Sequence, residues 1–246
     1  MKDIYIKLIR YFLGFFDFFQ QKKLISFLKR KLKKEIIFFD IGSHHGETVK
    51  LFNKYFDIKK FHCFEASPEN FGILEKRIKS FNLLGICDLN NFGVGSENSN
   101  SFLNQTKETS SSTINKINTK SKYLKRKLKV LKISNLENYI KRIPIKIISL
   151  DYYLKNNNIK FIDLIKVDTE GYELEVLKGL SKNFNKVKFI YFEHHYDDMI
   201  DKRYTFSDIH HILKTNNFKK VFKTKMFFRK SFEYVYQNDS FNLDLS

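Results

Sequence analysis

The segment that most constrains the fold is an apolar run that ends in an aspartate and passes into a glycine turn. Residues 36–39 are Ile-Ile-Phe-Phe, Asp40 follows, and Gly42 and Gly46 bracket the turn. From Glu47 onward, apolar residues recur at helical spacing. Glycine permits positive φ and lets the backbone approach a ligand closely, and open α/β sheets bind ligands at the carboxyl ends of their strands. The segment therefore predicts a strand, a tight turn and a helix that form a nucleotide-type cofactor site.

A second short apolar run also ends in a carboxylate. Residues 61–64 lead into Glu65, and Ser67 followed by Pro68 has the pattern of a helix N-cap and first helical position. An acid at the end of the second strand, about 20 residues after the glycine turn, suits the two hydroxyls of a ribose. The Asp-x-Gly-x-x-x-Gly spacing differs from the dinucleotide pattern that accommodates a pyrophosphate. We therefore expect a nucleoside cofactor without phosphate groups, such as S-adenosylmethionine.

The rest of the chain alternates between strand and helix patterns, which predicts an α/β domain with a mostly parallel sheet and helices on both faces. Further strands are predicted at 60–65 and 187–193, and helices at 47–56, 68–81, 170–180 and 206–216. Residues 83–94 resemble a third strand interrupted at 88–91, residues 95–118 a polar loop with short hairpin strands, and residues 218–236 a terminal antiparallel hairpin. The domain is predicted to span residues 35–238, followed by a tail at 239–246.

The length and the net charge of the chain limit the class of protein to which it can belong. A chain of 246 residues suits one sizeable α/β domain with additions. The formal charge of +18 favours an acidic partner, which could be nucleic acid, anionic lipid, or a phosphorylated or carboxylated substrate. Cys63 and Cys87 fall in predicted buried strands and form neither a disulfide framework nor a metal-ligand spacing, so a reducing cytoplasm is the expected compartment.

Residues 1–34 are predicted to form a helical extension outside the domain. Residues 4–19 are apolar, but charges interrupt them and they are too short for a spanning helix, which needs about 20 residues. Residues 22–34 are strongly basic and contain no acid. Two interpretations stand side by side: an interfacial anchor on an anionic membrane, peripheral to its inner face, or a pair of helices that cap the sheet or form a dimer face.

A third motif completes a resemblance to a known family. The matching pieces are Asp40-Ile41-Gly42-(x)3-Gly46, Phe64-Glu65-(x)2-Pro68-(x)2-Phe71, Ser149-Leu150-Asp151-Tyr152-Tyr153-Leu154, Ile165-Lys166-Val167-Asp168-Thr169-Glu170-Gly171-Tyr172-Glu173 and Phe189–His194. In this order the chain resembles the FkbM family of S-adenosylmethionine-dependent methyltransferases. The Lys-x-Asp-x-Glu-Gly-x-Glu segment is the most distinctive piece. The chain departs from the family at His44, where Asn is usual, and at Ala66, where Pro is usual.

The resemblance implies a Rossmann-like methyltransferase fold, S-adenosylmethionine as cofactor, and methylation of hydroxyls in natural products or surface polysaccharides. The predicted cofactor-binding residues are Asp40, Gly42, His44, Gly46, Glu65 and, near the adenine, Asn91. Residues 95–145 correspond to an insertion in family terms. Its basic segment 120–132 has leucines at helical spacing, which predicts either a lid or acceptor-binding element or a solvated helix face.

Methyl transfer to oxygen requires alignment of the acceptor with the methyl group at about 3–3.5 Å and a base or metal to remove the proton. Asp168 and Glu170 are predicted to shape the reaction centre, with Glu193 or His194 as the base; the neighbouring His195 also follows a predicted strand end. Each of these residues also has a structural alternative. Asp168 could cap the following helix, Glu170 could interact favourably with the dipole of that helix, and His194 and His195 could be polar residues at the end of a strand. Clustered carboxylates and imidazoles could also hold a divalent cation, but no spacing is diagnostic of one.

Three functions remain in competition. The leading prediction is O-methylation of a sugar, glycan or small-molecule hydroxyl, and the charge would suit a nucleotide-linked or lipid-linked glycan. A nucleic-acid methyltransferase is favoured by the charge but lacks an Asn/Asp-Pro-Pro-Tyr motif for an amino-nitrogen acceptor. A non-catalytic protein that docks to membrane or nucleic acid is opposed by the intact Asp40, Gly42, Gly46 and Glu65.

Overall fold

The computed structural model describes residues 20–133, 136, 139–226 and 230–241. In chain order the elements are α1 (20–29), β1 (Ile36–Ile41), α2 (Glu47–Tyr55), β2 (Ile58–Phe64), α3 (Pro68–Ser80), β3 (Cys87–Asn90), β4 (Gly93–Val94), β5 (Ser99–Thr106), α4 (Lys122–Val130), β6 (Ile140–Ile148), α5 (Leu150–Asn156), β7 (Ile162–Val167), α6 (Glu173–Lys178), β8 (Val187–His195), α7 (Phe206–Thr215), β9 (Phe218–Lys225) and β10 (Ser231–Asn238). Strands and helices alternate through most of this order, as the sequence predicts.

Seven strands form the central sheet in the order β3-β2-β1-β7-β8-β10-β9. The pairs from β3 to β8 are parallel, whereas β10 runs antiparallel to both β8 and β9. This arrangement confirms the mostly parallel sheet and the terminal antiparallel hairpin. The chain proceeds outward from β1 on one side and from β7 on the other, so the strand order reverses between these two strands. Open α/β sheets bind ligands at such a switch point.

Helices cover both faces of this sheet, as predicted. On one face, Leu24 and Leu28 of α1 pack in a cluster with Phe38 and Phe52. On the other, helices α5, α6 and α7 pack against β7, β8 and β10, with Ile165 among the buried residues. The near-continuous apolar runs of β1, β7 and β8 follow from this burial, because a strand covered on both faces has no solvent-facing side.

A second sheet of three strands has the order β4-β6-β5. Strand β5 is antiparallel to β6, with Ser99 opposite Ile147 and Thr106 opposite Ile140. Within residues 95–118, Asn104 and Thr113 form an isolated antiparallel bridge, as a short hairpin would, but strand β5 pairs along its length with β6, which lies beyond α4 and outside the predicted hairpin. The predicted interruption at 88–91 is misplaced: residues 88–90 belong to β3 and pair with β2. In both cases ladder hydrogen bonds to a distant strand outweigh the polar local composition.

The helix expected at 170–180 is shorter in the structure, spanning Glu173–Lys178. Glu170 and Gly171 have φ values of 51° and 94°, which are incompatible with a right-handed helix. The chain therefore crosses the edge of the sheet in a loop before the helix starts. This loop carries the predicted site residue Glu170 away from the helix N-terminus.

The described part of the predicted N-terminal extension packs on the domain. Leu24 and Leu28 are buried, the rings of Phe27 and Phe222 stack with centroids 5.1 Å apart, and Thr224 Oγ1 donates to Gln20 Oε1 at 2.6 Å. The apolar residues 4–19, on which the anchor interpretation depends, lie outside the described residues. Among the residues described, no helix has the length and apolar character needed to cross a membrane.

The basic segment of the insertion forms helix α4, as its leucine spacing predicts. Ser121 caps the helix by accepting a hydrogen bond from the Leu124 backbone N–H. Leu124 is fully buried in a small cluster with Tyr139, Met199 and Ile200. Helix α4 thus docks beside the carboxyl end of β8.

The predicted tail begins at Asp239, whose carboxylate lies 2.6 Å from Lys219 Nζ.

Candidate active site

A cavity of about 840 Å³ opens at the carboxyl ends of β1, β2, β7 and β8, over the switch point of the sheet. Residues separated by more than a hundred positions in the chain meet on its walls. Six of the predicted site residues line it: Gly42, His44, Glu65, Asp168, Glu170 and Glu193. The remaining four, Asp40, Gly46, Asn91 and His194, lie outside its lining.

The glycine turn brings β1 and the loop after β7 into direct contact. Gly42 has φ 83°, and a Cβ built on it would lie 2.0 Å from the carbonyl oxygen of Asp168. The backbone N–H groups of Gly42 and Ser43 both donate to Phe64 O, at 2.9 and 3.0 Å. Gly46 instead faces α3, where an added Cβ would lie 3.0 Å from Leu74 Cδ1. Gly42 therefore shapes the cavity, whereas Gly46 permits close packing behind it.

Glu65 is fixed at the end of β2 by two backbone donors. Its Oε2 accepts from the His44 N–H and its Oε1 from the Ser67 N–H, both at 2.8 Å. Burial raises the pKa of Glu65, while these two hydrogen bonds lower it. The Asn70 side chain is a third donor to this carboxylate, which still keeps one acceptor position for a ligand hydroxyl. The site therefore fits the ribose of a nucleoside cofactor.

The wall beside Glu65 differs from the sequence-based prediction. The Asn91 amide donates to the Glu65 carbonyl oxygen at 2.9 Å, which ties the end of β3 to β2. Ala66, Phe92 and Gly93 form the adjacent cavity wall. Phe92 is not among the predicted site residues because it follows the polar residues 88–91, where the sequence predicts an interruption of the strand. An aromatic residue immediately after a strand end is the signal that could have found it.

A buried ion-pair chain lies beneath the turn. Lys166 Nζ is 3.4 Å from Asp40 Oδ1 and 3.2 Å from Asp168 Oδ2. Burial alone would lower the pKa of Lys166, but the carboxylates of Asp168 and Asp40 raise it, so Lys166 is an ammonium. Burial raises the pKa of Asp40, and Lys166 opposes that shift. Asp40 is fully buried and acts on the cavity through Lys166 rather than by contact.

An imidazole held between carboxylates occupies the part of the cavity nearest β8. His195 Nε2 lies 3.6 Å from both Glu170 Oε2 and Glu193 Oε1, and its Nδ1 lies 3.6 Å from Asp197 Oδ2. Burial alone would lower the pKa of His195, but the carboxylates, Glu170 first, raise it. Burial also raises the pKa of Glu170, against the attraction of His195. His195 is therefore an imidazolium held between acidic side chains.

Strand alternation places His195, not His194, in the cavity. Side chains of residues two apart share a strand face, so Glu193 and His195 point together while His194 points to the opposite face. The His194 ring packs edge-on against Tyr196, with centroids 4.7 Å apart. Burial, together with Lys202 and His195, lowers the pKa of His194 to about 4. The period-two pattern of residues 187–195 could have distinguished the two histidines.

Strand β10 contributes a carboxyl group, Glu233, that is not among the predicted site residues. Glu233 lies opposite Glu193 in the β8–β10 ladder, and Tyr191 donates to Glu233 Oε1 at 2.6 Å. Burial raises the pKa of Glu233 to about 7; the Tyr191 hydrogen bond opposes this shift and Glu193 adds to it. Both Tyr191 and Glu233 line the cavity. The sequence signal is an acid placed between two aromatic residues, Phe232 and Tyr234.

Helix α4 forms the outer wall of the same cavity. Tyr123, Arg126, Lys127 and Val130 line it, at the spacing of one helix face. Lys127 Nζ lies 2.6 Å from Glu108 Oε1, within an ion pair whose acidic side chain is almost completely buried. The basic helix is therefore part of the cavity wall, and the interpretation as a wholly solvated face does not describe it.

The fold and cavity together define an α/β protein with a nucleoside-type cofactor site at the switch point of a parallel sheet. The sequence profile of the Methyltransferase FkbM domain matches residues 40–220. The chain belongs to the FkbM methyltransferase family. This confirms the resemblance, and with it the enzyme class, a methyltransferase that depends on S-adenosylmethionine. No curated protein matches the chain significantly.

Two solved structures share the fold. The FkbM methyltransferase of Methylobacillus flagellatus KT has 15% identity and a TM-score of 0.51, over 84% of this chain and 45% of that one. M. capricolum TrmK, in complex with S-adenosyl-homocysteine, has 11% identity and a TM-score of 0.50, over 87% of this chain and 67% of that one. This chain thus spans less than half the length of the M. flagellatus protein.

Proposed function

We propose that the protein transfers the methyl group of S-adenosylmethionine to a hydroxyl group of a sugar, a glycan or another small molecule. The observation that carries this proposal is the cluster of Glu170, Glu193 and His195 in the same cavity as Gly42 and Glu65. An alcohol needs a base to become an effective nucleophile. The cluster supplies carboxylates for that task within one continuous cavity.

The cofactor end of the cavity is formed by the glycine turn and the neighbouring strand ends. Glu65 would accept hydrogen bonds from the ribose hydroxyls, Gly42 and the His44 backbone would form the floor, and Phe92 and Gly93 would flank the base. When bound, the cofactor supplies an electrophilic methyl group on a cationic sulfur. The carboxylates of Asp168 and Glu193 line the route to the acceptor and favour a cationic ligand.

Glu170 is the proposed base. Burial raises its pKa, which makes its carboxylate a better proton acceptor than an ordinary glutamate. His195 is already protonated and therefore positions Glu170 and Glu193 instead of taking the proton. Glu170 adopts φ 51°, an uncommon conformation for a residue with a side chain, and such strain often occurs at functional positions.

The test is turnover with S-adenosylmethionine that carries a labelled methyl group. Purified full-length protein is incubated with a panel of monosaccharides, nucleotide sugars and lipid-linked sugars. We expect label in a product that survives mild alkali, because a methyl ether of a hydroxyl is stable there whereas a methyl ester is cleaved. Alkali-labile label would overturn the hydroxyl assignment and leave the methyltransferase assignment intact.

A nucleic-acid acceptor is the second candidate, favoured by the charge of +18 and by the basic cavity wall on α4. The dependence of binding and turnover on salt concentration distinguishes a nucleic-acid acceptor from a sugar acceptor. Affinity for RNA or DNA falls steeply with ionic strength because counterions are released, whereas turnover of a neutral sugar changes little. Methyl transfer to RNA that disappears between about 50 and 200 mM salt would favour this candidate.

We also propose that the protein is cytoplasmic and binds the inner face of an anionic membrane through the basic surface that follows α1. Lys29, Arg30, Lys31, Lys33 and Lys34 are all exposed there, while Leu32 between them is buried. Clustered basic residues contribute about 1 kcal/mol each near an anionic surface. The surface would bring the enzyme to lipid-linked acceptors.

A further inference from the structure

Two consecutive histidines stack on each other in the loop between β1 and α2. The rings of His44 and His45 lie 3.7 Å apart between centroids, with an interplanar angle of 20°. Neighbouring side chains diverge in both strands and helices, so the stack requires a special backbone. His44 has φ 48° and Gly46 has φ 80°. These two left-handed residues turn both imidazoles to the same side of the loop.

Both rings present Nδ1 to the carboxylate of Glu47. His44 Nδ1 lies 3.4 Å from Oε2, and His45 Nδ1 lies 4.0 Å from Oε1. The three potential ligand atoms all lie within 4.8 Å of one another. In a tetrahedral site with bonds of about 2.0–2.2 Å, ligand atoms are about 3.4 Å apart. Only a small closure of the loop is needed for a shared ion.

The far nitrogen of each ring is already engaged. His44 Nε2 lies 2.8 Å from Thr109 Oγ1, and His45 Nε2 lies 3.1 Å from Asn70 Oδ1. The Asn70 side chain also hydrogen-bonds the Glu65 carboxylate, and only its amide nitrogen can donate there. Its oxygen therefore accepts from His45 Nε2–H, which leaves the lone pair of the neutral ring on Nδ1. Metal-binding histidines are oriented in this way by a bond from their other nitrogen.

We propose that His44, His45 and Glu47 form a binding site for one divalent transition metal ion, such as Zn²⁺. Two imidazoles and one carboxylate suit zinc, whereas Mg²⁺ and Ca²⁺ prefer oxygen ligands. The Glu47 side chain is 55% exposed, so solvent can supply a further ligand. No other group of three His, Cys, Asp or Glu side chains within the described residues brings its ligand atoms this close.

Arg77 tunes the site from outside. Its Nη1 lies 2.7 Å from Glu47 Oε1, where it fixes the carboxylate but also repels a cation. Oε2 faces His44 and remains directed into the group. Replacing Arg77 by glutamine should therefore tighten metal binding, the opposite of what loss of a ligand does. His44 and Glu47 also line the cofactor end of the cavity, but the three proposed metal ligands make no contact with Glu170, Glu193 or His195.

The experiment is titration of tag-free full-length protein with Co²⁺, followed by visible absorption, and then displacement of Co²⁺ by Zn²⁺. We expect one bound ion per chain with tetrahedral Co²⁺ bands. His45→Ala and Glu47→Gln should weaken Zn²⁺ binding at least tenfold, and Arg77→Gln should strengthen it. His211→Ala is the matched control, because it removes an exposed imidazole on α7 and should change nothing.

Circular dichroism on each variant confirms that it is folded. Equal Zn²⁺ affinity in the wild type, His45→Ala and Glu47→Gln would overturn the proposal, as would a lack of any Co²⁺ spectrum in the wild type. An equal loss in His211→Ala would also overturn it by locating the binding elsewhere. The cysteines do not confound the titration, because both are buried in the sheet.

Discussion

At the scale of single residues, the charge state of His195 decides which group takes the proton. Three carboxylates within 3.6 Å keep this imidazole protonated, although sequence reasoning treats a histidine at a strand end as a natural base. His194 would be neutral, but it lies on the other face of β8 and packs among aromatic rings. The carboxylate of Glu170 is therefore the proposed acceptor of the proton.

Replacing Glu170 by glutamine should reduce kcat by about 10²- to 10⁴-fold, the contribution typical of a general base. Cofactor affinity should change little, because Glu65 and the glycine turn are untouched. The pH profile gives a second readout. Burial raises the pKa of Glu170 above its usual 4.5, so wild-type kcat should fall as pH decreases through that raised value. Glu175→Gln, on helix α6, is the control carboxylate. Glu170→Gln with wild-type kcat would refute the assignment.

Glu233 should make the protein less stable as the pH rises. Burial raises its pKa to about 7 from 4.5, so between these values the unfolded chain ionises and the folded chain does not. Stability from this group is complete below pH 4.5 and is lost as pH rises to about 7. The loss is of order 3 kcal/mol, at about 1.4 kcal/mol for each pKa unit. Urea unfolding at several pH values checks it.

Glu233→Gln removes the titrating group and keeps an acceptor for the Tyr191 hydroxyl. The free energy of unfolding of this variant should therefore decline less than that of the wild type between pH 4.5 and 7. Parallel pH dependence in the two proteins would show that Glu233 ionises normally in the folded state.

At the scale of elements, the sequence predicts correctly those turns, helix caps and strand ends that depend only on neighbouring residues. The glycine turn after β1, the Ser67 cap of α3 and the acid at the end of β2 follow from a few adjacent residues. The pairing of β5 with β6 does not, since the partners are separated by α4 and β5 is mostly polar, with Phe102 and Leu103 as its only apolar residues. The start of α6 was missed for a related reason: the positive φ of Glu170 depends on contacts such as the Thr113 hydroxyl, which donates to its carbonyl at 2.7 Å.

Gly42→Ala tests the contact between the β1 turn and the β7 loop. Its Cβ would lie 2.0 Å from Asp168 O at a φ of 83°, so we expect destabilisation of at least about 1–3 kcal/mol and weaker cofactor binding. Gly72→Ala is the matched control, because it lies in α3 with nothing within 4 Å of its Cβ. That change should stabilise the protein by about 0.5–1 kcal/mol. Similar effects of the two substitutions would contradict the close approach of the loops.

At the scale of the whole molecule, the acidic groups of the cavity contrast with the basic surface of the described residues. The cavity holds a group of carboxyl side chains around His195 and Lys166, whereas basic residues such as Lys29, Arg30 and Lys214 are exposed. The site itself could be predicted only in part, since the switch point between β1 and β7 brings together residues that no local pattern links. His195, Tyr191 and Glu233 come from strands added on the far side of that point.

The exposed basic surface after α1 predicts binding to anionic vesicles. Sedimentation with phosphatidylglycerol vesicles should recover the wild type, and phosphatidylcholine vesicles should not. The triple variant Lys29→Gln, Arg30→Gln, Lys31→Gln should bind at least about tenfold more weakly, since each basic residue contributes about 1 kcal/mol. The control removes the same charge on the other side of the sheet, at Lys155, Lys182 and Lys214. Equal losses in both variants would mean that total charge, not this surface, drives binding.

The central claim is that the cavity at the switch point binds S-adenosylmethionine through Glu65, and calorimetric titration of the full-length protein tests it most directly. We expect one site per chain in the wild type. Glu65→Gln and Glu65→Ala should lose at least about tenfold in affinity, as expected for hydrogen bonds to a charged group, and Glu75→Ala, an exposed acid on α3, should bind normally. Folded wild type that binds no cofactor, or Glu65 variants that bind as tightly as the wild type, would contradict the account.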